Sequence, residues 1–127
     1  MKKQFVIFSL LIIFSITLIS FIAPVADNVK LCFALENEMY TNYVEITFLE
    51  NNKVEGILDV YIHDEEMGYE TSSYSEFKGK IIGEKVNVNL TIEIEGNTEF
   101  QSETWLYKEN TLLIDGDTYI KTDCRKD

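Results

Sequence analysis

The chain has 127 residues, of which 22 are acidic and 11 basic, for a formal net charge of −11. That length holds one domain and excludes two. The charge repels phosphate backbones and anionic lipid heads, which excludes nucleic acid as a partner; it would attract a basic partner or a divalent cation while also serving solubility.

In chain order, the first element is apolar. Met1-Lys2-Lys3 is a short positive region, and Phe5 to Ala23 runs nineteen residues without a charge. This is the pattern of an export signal or a membrane anchor, expected as an apolar helix, and not of a core helix. Its length falls between a signal core of about 7 to 15 residues and a spanning helix of about 20, so both readings stand. Cleavage after Ala26 would put Pro24 where a small residue is preferred, and cleavage after Ala23 would put a proline directly after the bond. Ala34 fits the small-x-small pattern, with Lys30 between it and the apolar run. Leu31 is bulky and Lys30 charged, so Cys32 is a poor lipidation site. Residues 1–26 are therefore read as signal peptide or anchor, and residues 27–127 as the folded domain. The acidic residues all fall in the second part, where nine basic residues leave a formal charge of −13.

Beyond Asn28 the dominant signal is alternation, which places successive side chains on opposite faces of a strand. Val29, Leu31, Phe33 and Leu35 alternate with Lys30, Cys32, Ala34 and Glu36, predicting a first strand. Val44, Ile46 and Phe48 mark the second. The polar tetrad Glu50-Asn51-Asn52-Lys53 suits a tight turn into a third strand carrying Val54, Gly56, Leu58, Val60 and Ile62 and running to His63. The segment His63 to Ser73 is long enough for a functional loop. A strand from about Tyr74 to Ile82 follows, and Gly83-Glu84 turns it into Lys85 to Glu95, where every second residue is apolar. Gly96-Asn97 leads to a strand over Thr98 to Lys108, Glu109-Asn110 to Thr111–Ile114, and Asp115-Gly116-Asp117 to Thr118–Lys121. No proline follows Pro24, so every strand is free to donate its ladder.

Turns this short make consecutive strands antiparallel neighbours. The expectation is an all-β fold in which an eight-stranded antiparallel meander closes into a small barrel filled by side chains, which removes exposed edges. Closure would pair the first and last strands and bring Cys32 near Cys124. Exported chains meet oxidising conditions, and these cysteines would bridge.

The order Cys32-Phe33, Asn52-x-Val54-x-Gly56-x-Leu58, Phe77-x-Gly79-x-Ile81-x-Gly83, Glu103-x-Trp105 and Tyr119-x-Lys121-x-Asp123-Cys124 resembles uncharacterised extracytoplasmic β-barrel domains of bacteria, many of them lipoproteins. The resemblance spans Leu31 to Cys124. It implies that Cys32 is retained and paired with Cys124, and it implies no catalytic residues. The chain departs from that pattern in lacking a lipidation site and in its long apolar N-terminus. A fainter likeness is to small periplasmic lysozyme-inhibitor barrels, whose inhibitory loop motif is not visible here.

The candidate sites each carry a plain reading beside the functional one. His63-Asp64-Glu65-Glu66 sets an imidazole beside carboxylates that could hold a metal or exchange protons, but adjacent positions do not converge on one ion without a special turn. Asp115-Gly116-Asp117 lacks the further ligands of a calcium loop and reads as a hairpin turn. Glu99, Gln101, Glu103, Trp105 and Tyr107 share one face of a strand. If Trp105 and Tyr107 point inward, Glu103 becomes a partly buried carboxylate at the barrel mouth; if outward, Trp105, Tyr107 and Tyr61 form an exposed aromatic patch for a sugar or a protein. Packing of Trp105 in the core is the simplest assignment. Tyr69 and Tyr74 flank the long loop and would cap the barrel. Asn89-Leu90-Thr91 matches a glycosylation sequon placed in mid-strand.

The single histidine and two bridged cysteines leave nucleophilic triads without a base, and no phosphate loop or metal-type cysteine spacing occurs. No cofactor is expected. The reading is an exported, monomeric, non-catalytic binding or envelope-interaction module for a protein or small ligand, touching the membrane only through its N-terminal segment. The alternatives are an inhibitor-type domain that engages a basic enzyme and a small hydrolase built on Glu103 and a second carboxylate.

Overall fold

The computed structural model describes residues 28–126. The expected N-terminal helix, and the choice between signal and anchor, lie outside them. Among the described residues no helix is long and apolar enough to cross a membrane.

The expected strands form: β1 (Val29–Glu36), β2 (Tyr40–Phe48), β3 (Lys53–Asp64), β4 (Tyr69–Ile82), β5 (Lys85–Ile94), β6 (Asn97–Lys108), β7 (Thr111–Ile114) and β8 (Asp117–Thr122). They pair antiparallel in sequence order, and β1 closes on β8 through Cys32 to Ala34 opposite Thr122 to Ile120, giving a closed barrel. Residue chemistry explains the turns. Asn51 and Asn52 take positive φ in the short 3-10 turn before β3, a region asparagine tolerates better than most residues. Between β1 and β2, Asn37 Oδ1 accepts the backbone N–H groups of Met39 and Tyr40 at 2.9 and 2.7 Å.

The alternation read from the sequence is the inside–outside pattern of the wall. In β5, Val86, Val88 and Leu90 are buried while Lys85, Asn87 and Asn89 are exposed. Side chains fill the interior, as the width of an eight-stranded barrel permits. The rings of Phe77 and Trp105 meet edge to face at 4.8 Å, and Tyr107 packs on Phe48 at 5.4 Å and Phe33 at 6.2 Å. Full burial of a side chain such as Phe33 or Phe77 contributes about 1.5–3 kcal/mol of hydrophobic stabilisation. On the strands between them, Gly56 and Gly79 permit close coiling of the sheet. A Cβ at Gly56 would run into the carbonyl oxygen of Glu45 and stand 2.7 Å from the Phe77 ring, and one at Gly79 would run into the carbonyl oxygen of Asn87.

The structure departs from expectation in one stretch of backbone. β4 begins at Tyr69, so the long loop shrinks to Glu65–Gly68. Glu70 to Ser73 offer no apolar alternation, yet their ladder with β3 continues through Ser72 opposite Tyr61 and Tyr69 opposite Asp64. The inner positions Thr71 and Ser73 are half-buried towards the rim, opposite Ile62 and Val60, and hydroxyl side chains serve there.

The wall is uneven in height. β3 to β6 run 10 to 14 residues, whereas β7 has 4 and β8 has 6. β7 pairs with β6 only from Leu106 to Lys108, so the rest of β6 is held from the β5 side alone.

Candidate functional site

The residues singled out in the sequence separate into an outer cleft at the β3–β4 hairpin, an inner polar row near the barrel mouth, and a clasp on the outer wall.

The cleft gathers Tyr61, His63, Asp64 and Tyr69 with Glu65, Gly68 and Glu70 around a shallow open space of about 650 Å³. Tyr61 and His63 lie two apart on β3, so both project outward, and their rings approach to 5.4 Å. Glu70 stands opposite His63 in the ladder. Its carboxylate, hydrogen-bonded by the Tyr61 hydroxyl, holds that phenol above its ordinary 10.0, with loss of water and the Glu70 charge adding to the effect. Asp64 shapes the turn: its Oδ1 accepts the N–H groups of Glu66 and Met67 at 3.1 and 3.2 Å. Tyr69, 54% exposed, lines this cleft at the rim, in phase with the inner positions of β4. Tyr74, in contrast, does not cap the barrel mouth. It pairs opposite Asp59, which faces outward, because its position in the ladder sends it to the same face. Partial burial, then the charges of Glu76, Asp59, Glu45 and Glu93, raises its pKa.

The inner row resolves the two readings of β6. Trp105 is 1% exposed and belongs to the core, and Tyr107 is half-buried against Phe33 and Phe48. Trp105 and Tyr107 therefore do not join Tyr61 in an exposed aromatic patch. Glu103 is half-buried where the packed interior ends, with both carboxylate oxygens engaged: Trp105 Nε1–H donates to Oε1 at 3.0 Å and Gln101 Nε2–H to Oε2 at 2.9 Å. Deeper in the wall, Asn42 Nδ2 donates to the Tyr119 hydroxyl at 3.0 Å. Burial lifts the Tyr119 phenol above its ordinary 10.0, the bond from Asn42 pulls it down, and the charges of Asp117, Glu103 and Asp115 push it up. Asn42 Oδ1 is buried without a hydrogen-bond partner.

The clasp is covalent and polar. Cys32 and Cys124 form the expected disulfide across the β1–β8 closure. Beside it the Tyr43 hydroxyl donates to Cys32 Sγ at 3.2 Å and accepts the Arg125 backbone N–H at 2.9 Å. The Arg125 guanidinium lies 4.0 Å over the Tyr43 ring and bonds Asp59 Oδ2 at 2.9 Å. Loss of water raises the Tyr43 phenol more than the Arg125 N–H lowers it.

The sequence assigned no site role to Asn42, Tyr43, Tyr119 or Arg125. For Asn42 a signal existed, since it shares the alternation of Val44, Ile46 and Phe48 and is a polar residue on an apolar face. Arg125 lies past the last strand, where periodicity says nothing. Among the described residues no three His, Cys, Asp or Glu side chains group as metal ligands.

These features define a solidly packed antiparallel barrel whose accessible chemistry lies on its walls and rim. No family model, no curated protein and no solved structure matches the chain.

Proposed function

We propose that the protein is an exported, non-catalytic binding module that engages a basic protein partner through the β3–β4 hairpin. The observation that carries this reading is the cleft itself. Tyr61, His63 and Tyr69 are set among Asp64, Glu65 and Glu70 at an exposed end of the barrel, while the interior is filled by side chains. Tyrosine flanked by carboxylates offers contact area with little ordering cost and a charge that steers cationic surfaces. Export is supported by the uncharged N-terminal run and by the disulfide, which persists in oxidising compartments. The likeness to bacterial extracytoplasmic barrel domains points the same way. An inhibitor-type role is the narrower form of this proposal, in which the partner is a basic enzyme.

Calorimetry against a small basic protein at low and high salt tests it. Binding is expected to weaken with salt, and to fall about tenfold or more when Asp64, Glu65 and Glu66 are replaced by asparagine, glutamine and glutamine. Affinity unchanged by that replacement would remove the hairpin from the function. An asparagine in place of Asp64 still offers a side-chain oxygen to the turn, so the fold should survive the change.

A further inference from the structure

We infer that the free edge of β6, from Thr98 to Thr104, is a docking site for an extended basic segment of a partner protein, which adds to the barrel wall as a further strand. This goes beyond the hairpin cleft and does not rest on it.

The two-residue turns at either end of β6 fix which way its backbone points. Ile94 opposite Asn97 closes the turn at Glu95-Gly96, and Lys108 opposite Thr111 closes the turn at Glu109-Asn110. Pairs that flank such turns exchange hydrogen bonds, and along an antiparallel strand the bonding direction alternates. Asn97, Glu99, Gln101 and Glu103 therefore turn their N–H and C=O groups toward β5. The bond from Tyr107 N–H to the Glu84 carbonyl at 2.8 Å follows the same parity. Thr98, Phe100, Ser102 and Thr104 point the other way, where β7 pairs only from Leu106 onward. Among the described residues nothing bonds these backbone groups on that side.

A row of unpaired donors and acceptors is a template for another strand. The side chains say which strand fits. On the outer face Phe100 is 81% exposed, more than any other large apolar side chain among the described residues. Its neighbours Ser102 and Thr104 are tied back to Asn89 and Asn87 by hydroxyl bonds of 2.7 Å, so this face is already ordered. On the inner face stand Glu99 and Glu103, with Glu95 at the adjacent turn. A strand that alternates lysine or arginine with apolar residues meets both rows at once. In the antiparallel register centred on Gln101 a second copy sets Glu99 opposite Glu103 of the other chain, and like charges directly opposite destabilise a ladder. Inward carboxylates on this edge thus disfavour that self-pairing and favour a cationic strand.

The probe is a synthetic ten-residue peptide of alternating lysine and valine, titrated into the purified full chain and followed by hydrogen exchange. Binding should slow exchange at Thr98, Phe100, Ser102 and Thr104, and the same peptide with glutamate for lysine should not bind. Phe100→Pro deletes an N–H that faces the free edge and keeps the β5 ladder, so it should weaken binding about tenfold or more. Glu99→Lys, which keeps the backbone edge intact, should do the same. The inference is overturned by equal affinity in both variants, by protection confined to the β3–β4 hairpin, or by no binding at millimolar peptide. It is equally overturned if the free protein is a dimer that Phe100→Pro dissociates, since the edge then belongs to a second copy.

Discussion

Asn42 is the side chain whose surroundings are least complete. It is 5% exposed, gives one hydrogen bond to Tyr119, and leaves Oδ1 unpaired. A buried amide in that position costs stability unless its partner is kept, and removing only one member leaves the other stranded. Asn42→Leu and Tyr119→Phe should therefore each destabilise the fold by about 1–3 kcal/mol, and the double replacement should cost less than their sum. Urea unfolding of the single and double variants measures the coupling, and strict additivity would refute it. The Tyr119 phenol also gives a sign for pH. Its pKa is raised in the folded state, mainly by burial, so its contribution is complete below the ordinary value of 10.0 and is lost as pH rises through the folded value. The stability advantage over Tyr119→Phe should accordingly shrink in alkaline solution. None of this was legible beyond the parity of Asn42, because hydrogen bonding across a barrel depends on which strands face each other, and alternation alone does not say.

The strands themselves were read closely, and the misses have physical causes. β5 announced itself because every inner position is apolar along a face that is buried for most of its length. The start of β4 did not, because its inner positions Thr71 and Ser73 lie near the open rim and need not be apolar. For β6 the alternation was plain but its orientation was not, since Trp105 and Phe100 sit on opposite faces and either could have been core. Gly56 and Gly79 looked like ordinary strand residues, yet their inner surface is occupied by a neighbouring backbone. Gly79→Ala should therefore cost about 3 kcal/mol or more, since backbone must move to admit the methyl group. Gly83→Ala, at a turn with φ of 62° and open space around it, should cost about 1 kcal/mol. Comparing the two unfolding midpoints checks the claim, and equal shifts would contradict it.

At the scale of the whole molecule, strand number and short turns were enough to anticipate closure, and closure to anticipate the Cys32–Cys124 bridge. The polar lock on that bridge was not anticipated. Arg125 spans Tyr43 and Asp59 and holds the tail against the wall next to the disulfide. A bridge closing a separation of 92 residues should stabilise the fold by about 4–5 kcal/mol on the chain-entropy account. Reduction should lower the unfolding free energy by that order and release the tail. The Tyr43 phenol, held up chiefly by loss of water, should then titrate closer to 10.0, as ultraviolet titration would show. An unchanged midpoint after reduction would disprove the structural role of the bridge. The same closure also sets the mechanics of the domain. β1 starts at Val29 beside the β2–β3 turn, at the rim remote from the β3–β4 hairpin, while the segment after Thr122 crosses the outer wall to Tyr43 and Asp59. A pull between Asn28 and a partner on that hairpin runs along the strands, and the ladders share the load in shear and do not peel one rung at a time. The disulfide secures the seam between the first and last strands, so the barrel should resist a load along its strands as a stiff strut.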